Sequence, residues 1–137
     1  MKLKRGLRHS TDVRVKAIRG AVQVAADTPE QIAKSTLSMM KEIISLNLLH
    51  STNLVSFFFT ITPDLTSELP PLVMREAGWN DVPTLCAAEL PTAMMIPRVI
   101  RVLVHVEWPH HSSEPRHVYL PGTTAARPLA SQLITQQ

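Results

Sequence analysis

A thiol, a carboxylate and a scatter of arginines are the residues of this chain best equipped for chemistry. Cys86-Ala-Ala-Glu89 stands where one apolar run gives way to a loop, and Arg101 interrupts another, Val99-Ile-Arg101-Val-Leu-Val. A guanidinium cannot shed its charge, so among apolar neighbours it needs a carboxylate, another anionic partner or water. Arg19 closes a short apolar stretch, Tyr119 lies in a third run, and Arg127 follows it in the chain. Two readings stand. In one, Arg101 and Glu89 form a structural ion pair beside a core cysteine. In the other, Arg19, Arg101, Arg127, Glu89, Cys86 and Tyr119 make a small polar pocket at strand ends. Several arginines with one carboxylate and one phenol suit a small dicarboxylate better than a macromolecule, because a planar guanidinium matches a carboxylate two oxygens at a time.

Composition narrows the field. A chain of 137 residues that is 45% hydrophobic and 18% charged is one globular domain with a modest core. Its single cysteine excludes an intrachain disulfide and a four-cysteine zinc site. No apolar run reaches the ~18 residues a membrane span requires, and the basic start MKLKRGLRHSTD lacks the apolar core of a secretion signal. A cytoplasmic protein without a membrane partner is the expectation. The net charge of +3 does not point to nucleic acid: Lys and Arg cluster only in the first nineteen residues, and 4% aromatic content leaves little to stack on bases. Metal binding is rejected as well. His110 and His111 are adjacent rather than four apart, and His105-Val-Glu107 is not followed by a Pro-Cys-x-x-Cys. There is no Gly-x-Ser-x-Gly elbow, Cys86 has no evident histidine partner in sequence, and four scattered glycines make no phosphate loop. No cofactor is expected.

The elements that must position these residues follow from periodicity. Val13 to Arg19 alternates as a first strand, with Gly20 expected to end it. Thr28-Pro29-Glu30-Gln31 is a helix start, with a capping hydroxyl, a proline at the first helical position and a glutamine three residues past the cap. Apolar residues then recur at helical spacing until about Asn47. Asn53–Thr62 is β-branched and aromatic, apolar on both faces at its centre, which suits an interior strand covered on both sides. Glu68–Ala77 reads as a short helix with Pro70 and Pro71 in its first turn, stopped by Gly78. Strands over Val82–Cys86 and Arg98–Glu107 follow, the second carrying Ile100, Val102, Val104 and Val106 on one face and Arg101, Leu103, His105 and Glu107 on the other. His117–Leu120 makes a short last strand. The order β-α-β-α-β-β, with that final strand, predicts an α+β domain with a mixed sheet and helices on one face. Its other face, carrying Val and Ile, would stay bare and apolar, which predicts oligomerisation. Residues 1–12 read as a basic flexible extension, 13–129 as the domain and 130–137 as a flexible tail.

The chain resembles the trimeric pseudo-α/β-barrel chorismate mutases, the non-helical type. The matching segments are Ile18-Arg19-Gly20-Ala21, Thr62-Pro63-Asp64-Leu65, Arg75-Glu76 with Gly78-Trp79-x-x-Val82-Pro83, Cys86-x-x-Glu89, Ile100-Arg101-Val102, Arg116-His117-Val118-Tyr119-Leu120 and Arg127-Pro128, in family order from about Val13 to Leu129. Leu69-Pro70-Pro71-Leu72 replaces a Phe-Pro-Ala-Lys usual in the family, and Pro91-Thr-Ala-Met-Met replaces a glycine pair. One residue is missing between Arg75 and Gly78.

The resemblance implies a cofactor-free rearrangement of chorismate to prephenate in aromatic amino-acid biosynthesis. It implies a homotrimer with sites between subunits, Glu89 and Cys86 facing Arg19, Arg101 and Tyr119 of a neighbouring chain. Arg101 would serve the breaking ether bond, with Arg19 and Tyr119 gripping the substrate carboxylate. Glu89, with Cys86 beside it, would take the ring hydroxyl. Arg127 would reach the ring carboxylate, and Arg75, Leu69, Thr84 and Leu85 would contact substrate. Two other readings compete: a trimeric enamine/imine deaminase, which leaves Cys86-x-x-Glu89 and Arg127-Pro128 unexplained, and a small-anion binding module using the basic N-terminus.

Overall fold

The computed structural model describes residues 13–123. Five strands and two helices follow one another as β1 (Val15–Gln23), α1 (Pro29–Leu46), β2 (Leu54–Ile61), α2 (Pro70–Glu76), β3 (Thr84–Ala88), β4 (Val99–Glu107) and β5 (Val118–Tyr119). The strands form one mixed sheet in the order β3-β2-β4-β1-β5. β4 pairs antiparallel with both β1 and β2, whereas the outer strands β5 and β3 run parallel to β1 and β2. The expected α+β architecture and element order are found. Among the described residues no helix is long and apolar enough to cross a membrane.

Local chemistry explains the helix limits. Thr28 has extended backbone geometry and its Oγ1 accepts the Gln31 N–H at 3.2 Å, as a capping hydroxyl does. At the other end the Asn47 side chain donates to the Ile43 and Arg116 carbonyls and accepts the Arg116 N–H. That clasp ties the end of α1 to the segment leading into β5. α2 begins later than expected, at Pro70, because two consecutive prolines fit only where no helical N–H is needed. Gly78 closes it at φ +99°, a conformation costly for residues with a Cβ. Trp79 then meets Phe57 edge-on, ring centroids 6.3 Å apart.

Both helices lie on one face of the sheet. Ile32, Met39, Met40 and Ile43 of α1 pack on Ile18, Phe57, Phe59, Ile100, Val102 and Val104 of the strands, all essentially inaccessible to water. Three expectations change. β1 does not stop at Gly20 but runs on to Gln23, because Gly20 sits under α1 where any Cβ would come within 2.6 Å of Ile43 Cδ1. There the glycine permits close helix–sheet approach rather than a chain break. β2 is interior but covered on one side only: Phe57 and Phe59 are buried, while Phe58 between them is 42% exposed. β3 starts at Thr84, after Pro83, which has no N–H for the ladder although its carbonyl accepts from Phe57.

Candidate active site

Registers across the sheet decide which polar side chains meet. Arg101 of β4 pairs with Ala21 of β1 and Thr60 of β2. Ala21 in turn pairs with Tyr119 of β5, and Thr60 with Ala87 of β3. One row of residues, Tyr119–Ala21–Arg101–Thr60–Ala87, therefore spans all five strands. The next row toward one end is Arg19–Leu103–Phe58–Leu85. Residues two apart share a face, so both rows belong to the face without helices. Ala21, between Tyr119 and Arg101, is itself buried. The result is an open cleft of about 370 Å³ lined by Arg19, Phe58, Thr60, Arg101, Leu103 and Tyr119.

Glu89, just past the end of β3, meets two residues of this cleft. The parallel β2–β3 pairing continues one step beyond the strand, through the Glu89 N–H to the Ile61 carbonyl at 2.8 Å. This brings its carboxylate back over the sheet. Oε2 accepts the Thr60 hydroxyl at 2.8 Å and lies 3.1 Å from Arg101 Nε. Glu89 and Arg101 thus meet within one chain, which corrects the expectation that Glu89 faces a neighbouring chain's Arg101. Arg19 is fixed through its backbone: its N–H donates to His117 Nδ1 at 3.0 Å, one position before β1 begins pairing with β5. The imidazole supplies the acceptor that β5, starting at Val118, does not reach.

Cys86 lies elsewhere. It pairs with buried Phe59 and packs half-buried against the core on the helix side. Three residues along a strand reverse the face, so Cys86 and Glu89 are not side by side as expected but project to opposite faces of β3. Burial pushes the Cys86 thiol above its ordinary value, so it is a neutral S–H at physiological pH rather than a nucleophilic thiolate. Thr84 shares the Cys86 side, where Pro71, Leu72, Arg75, Trp79 and Thr84 line a second cleft of about 250 Å³. Leu69 is exposed at the start of α2, and Leu85 is 70% exposed on the helix-free face. Arg127 lies outside the described residues.

The predicted set is thus divided. Arg19, Arg101, Glu89 and Tyr119 gather on the open face. Thr84 and Arg75 line the second cleft, Cys86 packs against the core on the same side of β3, and neither cleft holds all of them. Sequence reasoning missed Thr60 and Phe58 as members of the open-face cleft. The available signal was Thr60 itself, a hydroxyl within the apolar run Phe57-Phe-Phe-Thr60-Ile. Among the described residues no three His, Cys, Asp or Glu side chains gather as metal ligands.

Comparisons with known proteins agree with one another. Residues 15–129 match the family model for chorismate mutase type I. The chain is 39% identical over 115 residues to the chorismate mutase AroH of Thermus thermophilus, covering 83% of this chain and 94% of that protein. It is 33% identical over 115 residues to the chorismate mutase AroH of Bacillus subtilis, covering 83% and 91%. Among solved structures, a chorismate mutase from Clostridium thermocellum matches with a TM-score of 0.72 at 32% identity, over 77% of this chain and 94% of that one.

Proposed function

The chain belongs to the type I chorismate mutase family and is a chorismate mutase, an isomerase; we propose that it converts chorismate to prephenate without a cofactor, at sites that neighbouring protomers of a homotrimer complete. The division of the polar residues into two clefts on either side of an edge strand supports the shared site. Each protomer contributes its open face to one site and its β3 edge to another. The uncovered face is not the Val- and Ile-rich one, which lies buried under the helices; it exposes Val15, Phe58, Leu85 and Tyr119 beside Arg19 and Arg101, and these exposed side chains support assembly through that face.

The reaction asks for little covalent chemistry. Chorismate must be held with its enolpyruvyl arm folded over the ring, which is an orientational service. As the ether bond breaks, its oxygen gains negative charge and the ring gains positive charge. Arg101 reaches Glu89 through Nε, which leaves its terminal nitrogens to donate to the ether oxygen and the arm's carboxylate. Arg19 and Tyr119 hold that carboxylate further. Glu89 accepts the ring hydroxyl and lies near the developing positive charge. The neighbouring protomer brings Cys86 as a neutral donor, with Thr84 and Arg75, and with Leu69 and Leu85 at the rim. Arg127 serves the ring carboxylate. Residues 13–129 are the catalytic domain, and the enzyme works in the cytoplasm, in aromatic amino-acid biosynthesis.

The test is direct. Purified protein, dialysed against a chelator, is expected to consume chorismate absorbance and form prephenate with saturation kinetics. A rate no greater than that of chorismate in buffer would overturn the assignment.

A further inference from the structure

We propose that Thr60 is a positioning residue for Glu89, holding its carboxylate so that one oxygen is committed to the protein and the other is presented to substrate. This rests on the function proposed above. Thr60 lies beside Arg101 in the same cross-strand row and lines the same cleft. Its Oγ1 donates to Glu89 Oε2 at 2.8 Å, the same oxygen that Arg101 Nε approaches at 3.1 Å. Among the described residues no donor reaches Oε1.

The hydroxyl matters because of what the pair would otherwise do. An arginine and a carboxylate this close favour a two-pronged arrangement in which both oxygens meet N–H groups. That arrangement would turn Glu89 and Arg101 upon each other and use up the groups that substrate needs. Thr60 ties Oε2 to the floor of the cleft, and the ion pair is made through Nε. Oε1 and the terminal guanidinium nitrogens stay available. β2 is an interior strand paired on both sides, so the hydroxyl is held by rigid backbone rather than by a loop. Nothing in the helix-side core requires a hydroxyl at this position, since Thr60 projects to the opposite face.

Thr60→Val keeps the shape and the β-branch but removes the donor. The expected result is a fall in kcat of about ten- to a hundred-fold, the scale of a lost hydrogen bond to a charged group. KM should change less, because the oriented carboxylate acts most strongly as positive charge develops. Thr60→Ser, which restores the hydroxyl, should recover most of the rate. If Thr60→Val stays folded and turns over within a few-fold of the parent, the proposal is wrong. It is equally wrong if Thr60→Ser is as slow as Thr60→Val, or if KM rises while kcat holds. Should Thr60→Val fail to fold by thermal melt, the pair Thr60→Ser and Thr60→Ala, which differ only in the hydroxyl, decides by the same criteria. An inactive parent protein would instead overturn the functional reading.

Discussion

Arg101 is where the structural and catalytic readings of this sequence collide, and its geometry separates them. The ion pair with Glu89 exists, but the side chains are 41% and 22% exposed. An exposed pair of this kind typically contributes about 0–1 kcal/mol to folding, because water screens the charges and holding two long side chains costs entropy. Stability alone is a weak reason for a permanent cation among Val and Leu. Arg101→Ala is therefore expected to leave the thermal melt within a few degrees of the parent. It should lower kcat by on the order of 10² to 10³, the scale of one preorganised donor lost. Arg101→Lys should rescue only in part, since an ammonium is a point charge and not a planar fork. Steady-state kinetics and melts on both variants check this. Turnover within about tenfold of the parent by both would leave the pair as structure only.

At the scale of elements, two small features hold the site's frame in place. Gly20 lets α1 lie close over β1, so that Arg19 and Ala21 on either side of it project to the opposite face at a fixed level. Asp27 joins the turn before α1 to the segment before α2. Its carboxylate accepts both backbone and hydroxyl donors of Thr66 and the N–H of Ser67. These bonds, the Thr66 hydroxyl first among them, lower its pKa from 3.8 to about 2. A carboxylate whose pKa is depressed by folding stabilises the ionised, folded state. Its contribution is complete above the ordinary value of 3.8 and fades as pH falls through about 2. The melting temperature of the parent should exceed that of Asp27→Asn near neutrality, with the gap closing between those two pH values. A gap that persists unchanged in stronger acid would remove the clasp from the stability of this corner.

At the scale of the whole molecule, one chain presents two separate clefts and a sheet face on which no helix of the described residues packs. Light scattering is expected to find a trimer. Complementation tests the site more sharply. Arg101→Ala damages the open-face half and Arg75→Ala the β3-edge half, so each homotrimer should be impaired. After co-refolding at equal amounts, about a quarter of the interfaces would pair two intact halves, given random assortment around a closed ring. Activity should recover to about that fraction of the parent. A monomer, or mixed trimers no more active than the separate variants, would contradict a shared site.

Much of this protein can be read locally. Alternation in Arg98–Glu107 marks β4, and Thr28, Pro29 and Gln31 mark the start of α1, because capping and periodicity involve residues a few positions apart. The misplaced arginine in an apolar strand is equally visible, since charge and hydropathy are properties of the residue. What tertiary structure decided is long-range. That β1 runs through Gly20 depends on Ile43 and Val102, and that Cys86 turns to the core while Glu89 reaches Arg101 depends on β3 pairing with β2. Thr60 meets a carboxylate twenty-nine positions away because the parallel β2–β3 pairing, carried on by the Glu89 N–H to the Ile61 carbonyl, sets Glu89 just past the row that Thr60 shares with Ala87. Strand register is settled by burying one face of the whole sheet against α1 and α2 at once. No single segment carries that information, so the Arg101–Glu89 pair was legible from residue type while Thr60, Phe58 and the face that Cys86 takes were not.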